Sequence, residues 1–260
     1  MRDLSPNEAA APIDWSSWYL TDEDDEGQTV EQSSILWELL SALRQWVAER
    51  GWKDVLCSGD NFFAWVESEP LVRVSPDAYL LDEPPPAPRP KFWQTWLPGH
   101  KPPRWAVEVV SEDWKKDYDD NPPKYAQLGA RELVIFDPEA LAADESSRRV
   151  PLQVYRRGDD GAFVRAYRGK GPAFCEEIDA HLVIVNEGGA PRLRIARDAA
   201  GTDLVPTAEQ RAQREASRAQ QEARRAQQEA RRAQEEADAR RAAEEKVRAL
   251  EAELARLRGG

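Results

Sequence analysis

The stretch from Thr207 to Arg258 constrains the fold most, because it can form little other than one long helix. It contains no aromatic residue and consists almost entirely of Ala, Arg, Gln and Glu. Alanines recur at alternating spacings of three and four residues, at Ala216, Ala219, Ala223, Ala226, Ala230, Ala233 and Ala237. A second run with this spacing follows in another register, at Ala243, Val247, Leu250, Leu254 and Leu257. Both runs predict an a/d seam along a helix, with a skip between them.

Alanine is the best helix former, so this tail predicts a helix of roughly 75–80 Å. Alanine side chains at the seam bury little area, so self-association would depend mainly on the Val and Leu layers. We expect a coiled coil through residues 207–258, formed either by a homodimer or with a partner protein. The alternative is a single helix surrounded by solvent.

The first 30 residues form an acidic segment. They include eight acidic residues and one arginine, which gives a net charge of −7. The run TDEDDEG has no apolar side chain to bury, so residues 1–30 predict a disordered arm. Trp15, Trp18 and Tyr19 are unusual in such a segment. They either dock on the body of the protein or form a short interaction motif.

Charge and composition limit the class of protein. The net charge of −12 opposes broad nucleic-acid binding, because phosphate contacts need cations, but the charge is unevenly spread and the tail carries +2. With no run of 18 apolar residues and no apolar signal core, we expect a cytoplasmic protein without a membrane span. Cys57 and Cys175 suit a reducing compartment. The few cysteines and histidines lack zinc spacing, and no hydrolytic triad is evident.

Residues 31–206 have the pattern of a mixed α/β domain. Apolar residues from Ile35 to Val47 share one helical face, and Gly51 follows as a stop signal. Short apolar runs predict strands at DVLCS, NFFAWVE, LVRVSPDAYLLD, RWAVEVV, ELVIFDP, PLQVYRR, AFVRAYRG, HLVIVN and RLRIA. The second and third of these resemble a meander, and PPKYAQLG predicts a helix between RWAVEVV and ELVIFDP. The prolines between residues 83 and 104 predict a segment without regular structure.

Two acidic residues lie on predicted strands. Asp77 follows Pro76 in VSPDAYLL, and Glu108 lies within the apolar run WAVEVV. A carboxylate with apolar neighbours is costly to bury unless it is paired or binds a cation. Two adjacent carboxylates suit a hard divalent ion such as Mg²⁺, or Mn²⁺, and such an ion can activate a phosphate for attack by water. The alternatives are a turn residue for Asp77 and a salt bridge from Glu108 to Arg104 or Lys124.

These motifs resemble the Uma-type family, a branch of the PD-(D/E)XK restriction-endonuclease-like superfamily. The resemblance covers roughly residues 31–185 and rests on Asp77 after proline, Glu108-x-Val110, a helix with Tyr125 before Gly129, and ELVIFDP. It implies a restriction-endonuclease-like mixed β-sheet flanked by helices, and a magnesium site that hydrolyses nucleic-acid phosphodiester bonds. Asp77 and Glu108 would be metal ligands, with the backbone carbonyl of Val109 as the third. An acid on the first helix often assists in this superfamily, which indicates Glu31 or Gln32.

The catalytic lysine is where this sequence departs from the pattern. The superfamily places it two residues after the second acid, where this chain has Val110. The Uma-type branch places it four residues before the tyrosine, where this chain has Asn121. Lys124 lies on the same helical face as Asn121, so we predict that it substitutes, with Lys115 and Lys116 as alternatives.

The sequence therefore favours a metal-dependent endonuclease, with DNA as the expected substrate. The rival hypothesis is a catalytically inactive protein that keeps the nuclease fold and acts as an adaptor through its coiled-coil tail. The change at the lysine position favours the rival, whereas the presence of both acids favours the enzyme.

The proline-rich segment (residues 83–104) is locally basic and lies between the two acids in sequence. Its cations alternate with aromatic residues, a combination that suits phosphate pairing and base stacking. The predicted nucleic-acid contacts are Lys91, Trp93, Trp96, Lys101 and Arg104. The alternative is a lid whose tryptophans close the core.

Overall fold

The computed structural model describes residues 14–21, 29–110, 114–142 and 147–258. The chain divides into two compact units, Met1–Thr207 and Ala208–Gly260. Within the described ranges, the first unit contains two α-helices, α1 (Val30–Arg50) and α2 (Asn121–Leu128), and the second contains the helix α3 (Ala208–Arg258). Most of the predicted acidic run lies outside the described residues.

Local signals in the sequence set the ends of the helices. α1 begins with a capping box, in which Thr29 and Gln32 bond each other's backbone N–H groups, and it ends at Gly51 with φ +67°. α2 follows directly on a π-helical turn at Lys116–Asp120 and ends at Gly129 with φ +99°. Such π turns are rare and are often found at functional sites.

The described residues of the first unit also form twelve strands. They are β1 (Val55–Ser58), β2 (Phe62–Ala64), β3 (Arg73–Val74), β4 (Ala78–Asp82), β5 (Phe92–Gln94), β6 (Trp105–Val109), β7 (Glu132–Phe136), β8 (Leu152–Arg157), β9 (Phe163–Gly169), β10 (Ala173–Cys175), β11 (Ala180–Glu187) and β12 (Ala190–Ala196). Six of them form one sheet in the order β1-β4-β6-β7-β8-β9. In this sheet β6 and β7 run parallel, joined through α2, and the other neighbouring strands are antiparallel. The mixed α/β fold predicted from the sequence is confirmed.

The six-stranded sheet has a hydrophobic core on each face, because successive side chains of a strand point to opposite faces. One core contains residues of α1, of the sheet β10-β11-β12 and of the central strands, such as Val107 and Val109. The other contains residues of α2 and of the small sheet β3-β2-β5, with Ala106 and Val110 from the central strand. Glu108 lies between Val107 and Val109 in sequence, so its side chain is directed to the second face.

The structure corrects three details of the predicted strands. LVRVSPDAYLLD is two strands, because the chain turns at Pro76 and leaves β3 and β4 in different sheets. The predicted meander is confirmed for β2 and β3, which pair antiparallel, but it does not continue into β4. The proline-rich segment contains the strand β5, which pairs parallel to β2. Proline lacks a donor only at its own position, and the proline-free Phe92–Gln94 can pair. The short β10 was not predicted because three residues show no clear alternation.

The aromatic residues near the N-terminus dock on the first unit. Tyr19 pairs with Val72 in an isolated bridge, and its hydroxyl donates to Glu69 Oε2 at 2.6 Å. Trp18 packs against Trp65 with ring centroids 6.3 Å apart. Of the two interpretations of these aromatics, the structure favours docking.

α3 is an uninterrupted helix of 51 residues, as the alanine pattern predicts. Its large apolar side chains, Val247, Leu250, Leu254 and Leu257, are each at least half exposed. No helix in the described part of the chain has the length and apolar character needed to cross a membrane.

Candidate active site

Strand register brings the two predicted acids together. Ala78 of β4 lies opposite Val107 of β6, so the next antiparallel pair is Asp77 and Glu108. Residues directly opposite each other point to the same face, with Cβ atoms about 4.5–5.5 Å apart. Asp77 also closes the end of the ladder, because its Oδ2 accepts from the Val109 N–H at 2.7 Å. The two carboxylates therefore lie where these neighbouring strands meet and on the same face of the sheet.

Close backbone packing positions Asp77. Gly59, in the turn after β1, lies against this residue, and the Asp60 N–H donates to the carbonyl of Pro76 at 3.1 Å. A Cβ atom at Gly59 would lie 2.1 Å from the Asp77 carbonyl oxygen. Only glycine fits at this position without moving the backbone that carries the acid. Sequence reasoning did not identify Gly59.

Glu108 is buried and is held by two side chains of α2. The Tyr125 hydroxyl donates to Glu108 Oε1 at 2.5 Å, and Asn121 Nδ2 donates to the same oxygen at 3.4 Å. Burial raises the pKa of Glu108 well above its usual range, and the negative charges of Asp77 and Asp117 raise it further. A cation between these acids would relieve that repulsion.

Asp117 is a third acid at the site, and sequence reasoning missed it. It is buried on the π-helical turn and its Oδ1 accepts from Asn121 Nδ2 at 3.1 Å. Asn121 thus bridges Asp117 and Glu108, from the position where the family pattern has lysine. The spacing of residues 117, 121 and 125 places them on one helical face, and this signal could have identified the acid. Asp77, Glu108 and Asp117 are called the acid cluster below.

Two of the predicted lysines lie near Glu108. Lys124 is buried, and burial lowers its pKa, while the charges of Asp120 and Glu108 act in the opposite direction. Lys116 is half-buried, and its positive charge lowers the pKa of Glu108. Lys115 is exposed. The structure therefore keeps Lys124 and Lys116 as candidates near the acid cluster.

The oxygen atoms available around Asp77 and Glu108 suit a hard cation. Within the described ranges, no three Asp, Glu, His or Cys side chains are grouped closely enough to hold a metal by themselves. Asp77 and Glu108 supply two carboxylates. The Val109 N–H donates to Asp77, and the Val109 carbonyl points to the same side of the strand as this N–H. Mg²⁺ commonly takes only one or two protein carboxylates and completes its shell with water and substrate oxygens. The donor set therefore fits Mg²⁺ or Mn²⁺.

The acid predicted on the first helix is not grouped with these residues. α1 packs on the face of the sheet opposite to Glu108. The Gln32 side chain accepts from the Thr29 N–H at 3.0 Å and so caps the helix. Glu31 is exposed on the first helical turn. Neither residue contacts the acid cluster through the hydrogen bonds of the described residues.

Several predicted contact residues of the proline-rich segment instead contact other residues of the protein. Trp93 is fully buried and stacks on Phe63 with ring centroids 5.8 Å apart. Lys101 pairs with Glu83, and Arg104 pairs with Asp82 at 2.9 Å. Lys91 is exposed and Trp96 is half-buried.

These placements favour the lid interpretation for Trp93, because a fully buried ring offers no face to a base. Arg104 also precedes the first residue of β6, whereas Glu108 is near its end. They are four positions apart, which is about 13 Å along the strand. Contact of Lys101 or Arg104 with nucleic acid would require breaking their ion pairs.

Comparison with known proteins identifies the family of the chain. The model of the family Uma2, described as "Putative restriction endonuclease", matches residues 25–170, which is more than half of the chain. The match includes Asp77, Glu108, the π-helical turn and α2. No curated protein matches the sequence. The chain therefore belongs to the Uma2 family of restriction-endonuclease-like proteins.

Proposed function

We propose that this protein is a divalent-metal-dependent endonuclease that hydrolyses nucleic-acid phosphodiester bonds. The observation that carries the proposal is the register of β4 and β6, which sets Asp77 opposite Glu108 on one face. Asp77, Glu108 and the Val109 carbonyl would hold Mg²⁺ or Mn²⁺. When bound, this ion supplies polarisation of a phosphoryl oxygen and a more acidic water.

The remaining residues support this chemistry through position and charge. Tyr125 and Asn121 fix the orientation of the Glu108 carboxylate by hydrogen bonds to Oε1. Burial lowers the pKa of Lys124, so its ammonium gives up a proton at a lower pH than that of an exposed lysine. In its charged form the same amine would stabilise negative charge that develops on the phosphate.

A cleavage assay tests the proposal. Purified protein is incubated with plasmid or single-stranded DNA, and separately with RNA, in Mg²⁺, in Mn²⁺ and in EDTA. Cleavage is expected with either ion and not in EDTA, and Asp77→Ala should remove it. Asp159→Ala, on the hairpin between β8 and β9, is the matched control and should cleave normally. Cleavage that persists in Asp77→Ala would place the chemistry elsewhere.

Lys124→Met is expected to lower the cleavage rate by roughly 10²–10⁴-fold, the range of a positioned proton-transfer group. Methionine keeps an unbranched side chain in the buried site, so the fold should be retained. The measurement is the single-turnover rate at saturating protein. Lys170→Met is the control, because Lys170 is exposed beyond β9. If Lys116→Met abolished cleavage and Lys124→Met did not, the role would pass to Lys116.

A second candidate function is that of a non-catalytic adaptor. It is favoured by Asn121, which fills the usual lysine position and joins two acids by hydrogen bonds rather than neutralising them. In that case the first unit would bind nucleic acid or protein, and α3 would connect it to a partner. Absence of cleavage under all metal conditions, with binding retained, would select this function.

The tail residues favour a second copy of the chain as the partner of α3. With Val247 and Leu254 at a positions, the d positions are Leu250 and Leu257. The flanking g and e positions are Lys246 and Glu251, then Glu253 and Arg258. In a parallel, in-register pair, each g residue faces the e residue of the next heptad on the other helix. Both contacts would then join opposite charges, which favours self-pairing.

Full-length protein is therefore expected to sediment as a dimer at micromolar concentration, held through residues 243–257. Leu250→Glu/Leu254→Glu should be monomeric, because each copy would place charges in the apolar seam. The matched control is Ala249→Glu/Ala252→Glu, which adds the same charges outside the seam and should remain dimeric. A monomeric wild-type protein, or a dimeric seam variant, would contradict this assignment.

A further inference from the structure

A row of residues crosses the sheet from the acid cluster to a second polar site. Register aligns Glu108 of β6 with Ile135 of β7, then with Gln153 of β8 and Arg168 of β9. Aligned residues share a face, so Gln153 and Arg168 lie on the same face as Glu108. With strands about 4.8 Å apart, they lie about 10 Å and about 14 Å from it along the row. At a rise of about 3.4 Å per nucleotide, this is a few nucleotides of one strand.

A β-bulge concentrates positive charge beside this row. Val154 pairs with Tyr167, but Tyr155 pairs with Arg165, so Ala166 is an extra residue in β9. Residues three apart on a regular strand point to opposite faces. The inserted residue reverses this, and Arg165 and Arg168 both face the acid-cluster side. Bulges often redirect side chains in this way next to functional sites.

Gln153 is a buried amide with an unused donor. It is 1% exposed, and its Oε1 accepts from the Tyr155 hydroxyl at 3.1 Å and from Arg165 Nη1 at 3.2 Å. Its Nε2 has no hydrogen-bond partner among the described residues. A buried donor without an acceptor costs free energy, so this amide points to an acceptor that a ligand would supply.

These groups line one cavity of about 290 Å³. Its cations are Arg148, Arg165 and Arg168, and the one acid among its described lining residues, Asp119, pairs with Arg148 at 3.0 Å. Tyr118 also lines the cavity, but its hydroxyl is bonded to Asp137 at 2.8 Å. The cavity therefore keeps an excess of two positive charges and a free amide donor. Another cavity of similar size, around Glu132, is lined by three arginines and three glutamates and has no such excess.

We propose that this cavity, the arginine pocket, binds a backbone phosphate of the nucleic acid a few nucleotides from the phosphate that is cleaved. The inference rests on the proposed function, which defines the neighbouring phosphate as the one that is cleaved. Guanidinium groups bind phosphate oxygens through two parallel hydrogen bonds, and the Gln153 amide donates a further one. Holding a flanking phosphate fixes the strand across the sheet and sets which phosphate reaches the acid cluster.

Oligonucleotide binding without divalent ions tests the pocket apart from cleavage. The probe is a fluorescein-labelled 12-nucleotide single strand, with the matching duplex as a second probe, and anisotropy is measured in EDTA between 50 and 200 mM salt. Arg165→Gln/Arg168→Gln is expected to weaken binding at least tenfold. It should also reduce the slope of log K against log salt by about 0.7–0.9, since the pocket holds one phosphate and each lost phosphate contact removes about that much. A merely structural role for the arginines would leave that slope unchanged.

The control is Arg224→Gln/Arg225→Gln, which removes two exposed arginines from the other unit and should leave binding by the first unit unchanged. If the double variant unfolds, Arg168→Glu is measured alone. Arg168 is exposed, so this single change should leave the fold intact. Unchanged affinity and salt slope in the pocket variants would overturn the proposal that the pocket binds phosphate. Absence of binding by the wild-type protein would do the same. Loss of binding in the pocket variants, with no cleavage by the wild type, would support the pocket and reject the nuclease.

Discussion

Glu108→Gln is expected to abolish metal-dependent cleavage and, at the same time, to stabilise the metal-free protein. Glutamine keeps the Oε1 acceptor for Tyr125 and Asn121 but removes the charge that is proposed to bind the ion. Metal polarisation supplies several kcal/mol of catalysis, so the rate should fall at least about 10²-fold. Without metal, a buried carboxylate beside two other acids opposes folding. Its neutral replacement should raise the free energy of unfolding by about 1–2 kcal/mol.

Thermal unfolding with and without Mg²⁺ measures both effects. Wild-type protein should gain stability from Mg²⁺, because an ion that binds only the folded state stabilises it, and the variant should not. Glu132→Gln is a matched control on the neighbouring strand β7. Glu132 is also buried, but it pairs with Arg156 at 3.1 Å, so its replacement should leave the metal response unchanged. A less stable Glu108→Gln protein would show that the charge is already compensated.

Gly59→Ala is expected to cost about 2–3 kcal/mol of stability and most of the cleavage activity. The new methyl group would lie 2.1 Å from the Asp77 carbonyl oxygen, so one of the two backbone segments must move. Overpacking against a side chain is relieved by a rotamer change, whereas backbone at a strand end has no such freedom. Because the displaced residue is the first of the proposed metal ligands, Mg²⁺ affinity should fall with stability. Chemical denaturation and titration with Mn²⁺ measure the two losses.

Gly158→Ala provides the comparison for this substitution. A Cβ there would lie 3.1 Å from Asp160 Oδ1, an exposed side chain that can rotate away, in the hairpin loop between β8 and β9. Its cost should stay below about 1 kcal/mol, and Mn²⁺ binding should be unchanged. Equal losses in both variants would mean that Gly59 matters only for backbone freedom and not for the placement of Asp77.

Much of the site could be predicted from residues that are close in sequence. Glu108 is conspicuous because apolar residues flank it in a buried strand, and Asp77 because a strand follows Pro76. The helix before Gly129 is marked by proline at its start and glycine at its end. These signals are local, since each depends on the preference of a few neighbouring side chains.

Other parts of the site could not be predicted, because they depend on pairing between distant segments. Asp117 lies in a charged run that predicts a solvated surface, and only the packing of α2 on the sheet buries it. The strand β5 lies in the proline-rich segment and forms only because β2 offers a parallel edge. The arginine pocket depends on one extra residue in β9, which changes the face of Arg165 relative to Arg168.

The sequence by itself determined the secondary structure of the central strands, the long helix of the tail, and the chemical nature of the candidate ligands. It did so because hydrophobic periodicity, and the residues that end helices and strands, act over a few positions. Only the tertiary structure decided which acids meet, that Asn121 links Glu108 to Asp117, and that Gly59 must lack a side chain. The physical reason is that strand register and helix packing bring together atoms separated by tens of residues. Their approach is decided by the whole core rather than by any local preference.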